Sequence, residues 1–204
     1  MLWALGQPAA VAGLAAAFAL AVGLRVQAQH WCARWAGAVP APTGRVGLDP
    51  IGVITAVVAG TGWGRETFKP TGPRAAAVIL AGPLTVIAAS QLVLYCYRAE
   101  YPQDALTLKL YRPSDVLHGA LAPTAAAQLM LSVGVGLLCF GLLALVPLPP
   151  LDGYRLLFGG SAPTNGERLG VVAVLVLMTV PVQGRPPLVT LLDMVGMPLV
   201  RLWA

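Results

Sequence analysis

Residues 146–155 read Val-Pro-Leu-Pro-Pro-Leu-Asp-Gly-Tyr-Arg and end an apolar run. Each proline removes a backbone donor and clashes with the preceding turn, so a helix cannot run through the segment. Asp152 follows at once. A carboxylate beside hydrocarbon is costly unless a charge partner or a polar cavity receives it. An acid at a broken membrane helix is therefore a site candidate, with the alternative that Asp152 caps a short helix through residues 155–158. Other groups that could bind a metal are sparse. His30 stands beside Trp31 with no second histidine four residues away, and reads as interfacial packing. His118 falls in a polar stretch and reads as solvated. Cys32, Cys96 and Cys139 lack metal-ligand spacing, and the last two lie in apolar runs where buried thiols are expected.

The elements that would position Asp152 are membrane helices. The chain has 204 residues, 57% hydrophobic and 10% charged, with mean hydropathy +0.76. Soluble domains carry roughly 25% charged residues, so an integral membrane protein is expected. The net charge of +5 is too small and too dispersed to suggest nucleic acid as a partner. Crossing the hydrocarbon takes about 20 apolar residues in a helix. Segments 5–24, 75–97 and 125–146 meet that requirement, and 169–182 is a shorter candidate for a fourth span. The first helix is expected to continue to Gly37. No basic residue precedes its apolar run, unlike a cleaved signal peptide, so it is expected to be retained.

Between the first two spans, residues 40–74 are rich in Gly and Pro, and 51–59 is apolar and β-branched but too short to cross as a helix. A re-entrant or β-hairpin-like segment is expected there, its backbone buried in protein or lining a cavity. Residues 97–123 read as a polar loop, and 187–204 as an interfacial tail containing Asp193 and Arg201. The expected fold class is a mostly α membrane protein of about four spans, in a single domain over 1–204. With four spans, eight Lys and Arg residues fall on the side of the first loop and five on the other. This bias favours a cytoplasmic first loop and an external N-terminus. Abundant Ala, Gly, Val and Pro suggest a bacterial genome rich in G and C, hence a bacterial cytoplasmic membrane.

Further segments accompany Leu151-Asp152-Gly153 in a fixed order. Gly44-Arg45 precedes Leu48-Asp49-Pro50-Ile51-Gly52, Gly62-Trp63-Gly64 precedes Pro70, Pro73 and Arg74, and Ala81-Gly82-Pro83-Leu84 follows. Together, over residues 20–160, they resemble the site-2 protease family of intramembrane zinc metalloproteases, which cleave membrane-anchored substrates. The resemblance implies a site-2-protease-like core, with Asp49, Pro50, Gly82, Pro83, Pro150 and Gly153 as framework.

In that family a His-Glu-x-x-His helix supplies two imidazoles on one face and a general base, and the Asp of Leu-Asp-Gly is a third zinc ligand. Aligned backward from Gly37, this chain places Arg25, Val26 and Gln29 on those positions. Arg25 has only donors and a permanent charge. Val26 has no proton to move, and Gln29 is a poor zinc ligand. The family's two asparagines fall on Val86 and Ala144, which leaves Asp152 as the vestigial metal residue. The resemblance thus implies a catalytically inactive pseudoprotease that binds or scaffolds membrane partners, with no cofactor, no catalytic residue and no nucleic acid. Its surroundings would be the lipid bilayer and a transmembrane client or partner protein, with Gly134, Gly136 and Gly141 allowing close helix approach. The alternative is a zinc metalloendopeptidase with an altered site, drawing for instance on His30, Cys32 and Asp152. A small transporter or channel is disfavoured by the few charges within the spans. With no zinc, Asp152 needs another countercharge, and Arg25 is placed to provide it unless it extends to the headgroups.

Overall fold

The computed structural model describes residues 1–37, 48–64, 74–120, 122–159, 164–182 and 184–204. Gly44, Arg45, Pro70 and Pro73 of the motif segments lie outside the described residues. The described residues are mostly helical and contain no strand beyond two isolated bridges. Three helices are long and apolar enough to cross a membrane: α1 (Pro8–Trp35), α3 (Ala75–Glu100) and α6 (Ala125–Ala144). At 1.5 Å per residue they are about 42, 39 and 30 Å long, which matches or exceeds a hydrocarbon core of about 30 Å.

These three helices pack against one another, with α6 the most buried. Small residues set their spacing. A Cβ at Gly13 of α1 would lie 2.6 Å from the Leu129 carbonyl oxygen of α6. One at Gly136 would lie 2.7 Å from the Ala17 side chain, and one at Gly141 would lie 2.6 Å from Ile87 of α3. Gly134 faces Leu94 in the same way. The glycines of α6 read from sequence as openings for helix approach are therefore taken up by the chain's own α1 and α3.

The segment after the first span is helical where it is described. α2 (Pro50–Ala59) starts with Pro50 at its first turn, where a missing N–H costs nothing. The Asp49 side chain caps it by accepting from the Ile51 N–H at 3.1 Å. Gly60, at φ +82°, ends it in the left-handed region. β-Branched Ile51, Val53 and Ile54 are accommodated because strong signals stand at both ends. An antiparallel bridge between Leu48 and Gly64 closes the segment into a flap.

Residues 97–123, read as a polar loop, also contain structure. α3 runs on to Glu100, and two short helices follow, α4 (Ala105–Leu110) and α5 (Pro113–Leu117). α7 (Asp152–Phe158) comes after the proline-rich break, α8 (Thr164–Thr179) covers most of the fourth apolar stretch, and α9 (Pro187–Arg201) packs on α5 and α6. Trp203 closes the chain against α3, donating its indole N–H to Gln91 at 3.0 Å and meeting Tyr95 edge-on.

Gly153 fixes α7 to the end of α6. A Cβ there would lie 2.0 Å from the Leu145 carbonyl oxygen and 2.6 Å from that of Val146, backbone atoms with no freedom to retreat. Gly153→Ala is expected to destabilise by about 1–3 kcal/mol or more in thermal unfolding in detergent. Gly23→Ala, on an exposed part of α1 with nothing within 4 Å, should leave the midpoint unchanged or raise it.

Candidate functional site

Asp152 is the first residue of α7, after Leu151 at the N-cap. Its carboxylate meets α1. The Arg25 Nε–H donates to Oδ2 at 2.7 Å and an Nη2–H to Oδ1 at 2.6 Å, a two-pronged ion pair across 127 residues of sequence. Arg155, one turn along α7, donates from Nη1 to Oδ1 at 3.4 Å. The pair is shut away from solvent, with 4% of the Arg25 side chain and 1% of the Asp152 side chain exposed. Arg25 therefore does not extend to the membrane surface.

The other aligned positions have their own partners. Gln29, four residues after Arg25, lies on the same face of α1 and is buried. Its Nε2 points to the carbonyl oxygen of Ile79 at 3.5 Å, a long contact. That carbonyl lacks a helical partner because Pro83, four residues on, has no N–H. Gly82 sits beside both side chains. A Cβ at 82 would come within 2.8 Å of Arg25 Cγ and 3.0 Å of Gln29 Nε2. Val26 is half-buried and carries only hydrocarbon. Val86 is fully buried in an apolar cluster with Ala21, Val22, Leu137 and Phe140.

Ala144, Phe140, Pro150 and Leu151 join Arg25 and Asp152 around a cavity of about 10 Å³, closed on the flap side by Trp63 and Gly64. Such a space holds roughly one water at most. Trp63 is held there by Asp49, whose Oδ2 accepts the indole N–H at 2.6 Å. The carboxylate that caps α2 thus also fixes the ring beside the ion pair. Gly52 lets the flap fold on itself, since a Cβ there would lie 2.0 Å from the Trp63 carbonyl oxygen.

A divalent ion does not suit these residues. Both Asp152 oxygens are occupied by a guanidinium. Among the described residues no three His, Cys, Asp or Glu side chains are grouped to hold a metal. His30, Cys32 and Asp152 accordingly do not form one site: Cys32 packs beside Ala33 and Val78, and His30 is half-buried farther along α1. His118 is on the surface at the end of α5, its Nδ1 2.5 Å from the Ser114 carbonyl oxygen. At 4 Å and an effective dielectric of 20, a cation and a divalent ion repel by about 8 kcal/mol.

A second buried acid was not singled out from sequence. Asp193 of α9 accepts the Ser114 N–H at 2.8 Å and the Ser114 hydroxyl at 2.6 Å, with Arg185 at 3.4 Å. It ties α5 to α9. The signal was a single acid within an otherwise apolar helical stretch.

Comparison with known proteins finds a relative. The chain is 31% identical over 151 residues to the Bacillus subtilis protein described as "Putative zinc metalloprotease YwhC". The match covers 66% of this chain and 62% of that protein, so the chain spans less than two thirds of its relative. No family profile and no solved structure matches. The similarity supports a metalloprotease-like family, and with the three apolar helices it fits a membrane protein related to a bacterial one.

Arg25→Ala and Asp152→Ala should each destabilise by about 3–5 kcal/mol, and the double variant by less than the sum. Thermal unfolding in detergent measures the coupling, and additive losses would rule out a tight pair. Asp49→Ala removes a helix cap and the indole's acceptor, with an expected loss of about 2–4 kcal/mol by the same measurement.

Proposed function

We propose that the chain is a multi-pass membrane protein of the site-2 protease type whose active site is silent, and that it holds or scaffolds a transmembrane partner without cutting it. The observation that carries this reading is the guanidinium of Arg25 on both oxygens of Asp152. Peptide hydrolysis by a metalloprotease needs an open coordination position, a polarised water and a base to take its proton. Here the carboxylate is engaged, Val26 stands at the position aligned with the base, and Gln29 is turned to Ile79. Of the aligned ligand positions, only Asp152 keeps a side chain that could bind zinc. A residence in a bacterial cytoplasmic membrane, with α8 as a fourth span, completes the reading.

The second reading is an intramembrane zinc metalloendopeptidase with an altered site, favoured by the zinc metalloprotease description of the Bacillus relative. Metal analysis separates the two. Protein extracted from its native membrane is expected to carry well under one zinc per chain, to leave a membrane-anchored reporter substrate intact and to bring down a membrane partner after crosslinking. One zinc per chain, lost on Asp152→Ala, would establish the enzyme instead.

A further inference from the structure

Arg25 reaches Asp152 only because α3 gives way beside it. The guanidinium is fixed at its far end by two short bonds to the carboxylate. Its stem is fixed at the near end by α1. Between the two, Cγ passes 2.8 Å from where a Cβ would stand on residue 82. Real Cβ contacts do not come that close, and Cγ cannot withdraw without pulling the guanidinium off the carboxylate. Gln29 is the other neighbour, but its closest atom is the amide end of a flexible side chain and can move.

We propose that Gly82 is the positioning residue of this site: the missing side chain at 82 admits the Arg25 stem, and so commits Asp152 to a guanidinium. The inference rests on the reading of the site as metal-free and adds what lets Arg25 reach Asp152. Residues 25, 82 and 152 then form one steric and electrostatic unit contributed by α1, α3 and α7. A methyl group on α3 thus acts on a carboxylate on α7, through the seating of Arg25.

The proposal predicts a reversal of sign. Alanine is the better helix former, so Gly82→Ala should stabilise α3 wherever Arg25 is absent. Thermal unfolding of the full chain in detergent is compared for the native protein, Gly82→Ala, Arg25→Ala and the double variant. Gly82→Ala is expected to lower the midpoint by several degrees in the native background, and to leave it level or raise it in the Arg25→Ala background. If Gly82→Ala alone does not fold, the double variant measured against Arg25→Ala still decides. A double variant less stable than Arg25→Ala overturns the proposal, as do additive shifts. Infrared spectra give a readout that crowding alone would not move: the carboxylate stretching band that Asp152→Asn removes should shift in Gly82→Ala, as the two-pronged guanidinium contact is lost. An unmoved band also overturns it. Zinc in the native protein would count against the functional reading whatever the coupling, whereas additive shifts in a zinc-free protein would count against this inference alone.

Discussion

A carboxylate held in an apolar bundle sets the terms for everything around it. Asp152 is placed at the start of α7 by the proline break and by the tight seat of Gly153 on the end of α6. Its charge must then be met within the protein. Arg25 meets it with two parallel bonds, the geometry for which a guanidinium is suited and an ammonium is not. Burying such a pair costs desolvation on both sides, and a well-packed apolar replacement is often as stable or more so. The pair is thus better understood as fixing one arrangement of α1 against α7 than as a source of net stability.

The same stretch of α3 serves both buried polar side chains of α1. Gly82 makes room for the Arg25 stem, and Pro83 leaves the Ile79 carbonyl for Gln29. One turn farther along, Val86 contacts an apolar layer with Phe140, which meets Phe18 edge-on at 5.9 Å. The interface between α1 and α3 is therefore polar around Arg25 and Gln29 and apolar at Val86. That boundary keeps the effective dielectric low around the ion pair, which strengthens the attraction and raises the penalty for leaving either charge alone.

Apolar length made α1, α3 and α6 legible, because spanning helices are written in composition. The helical α2 was less so. Its β-branched run suggested another conformation, and only the Asp49 cap with Pro50 and Gly60 tells a helix from it. α4 and α5 could not be read locally, since helices of six and five residues depend on partners elsewhere. The partner of Ser114 on α5 is Asp193, 79 residues away. Periodicity is equally silent about Arg25 and Asp152. Their approach was legible only through the alignment that a family resemblance provided. The contact between Gln29 and Ile79 had no such route, because it depends on how α1 is rotated against a proline in another helix.

Asp152 and Asp193, two of the buried acids, answer the same problem with different donors, and the difference bears on what each does. Asp193 is satisfied by a backbone N–H and a hydroxyl from one residue, with Arg185 approaching from a side chain that is 46% exposed. Neutral donors suffice to latch one helix to another, and little charge is buried beyond the carboxylate. Asp152 draws on two buried arginines, one from its own helix and one from α1. A simple latch would not need two long cationic side chains in the interior. The arrangement makes sense where the site is built to hold strong positive charge beside the carboxylate. In this chain that charge is carried by Arg25 and Arg155, side chains of the protein itself.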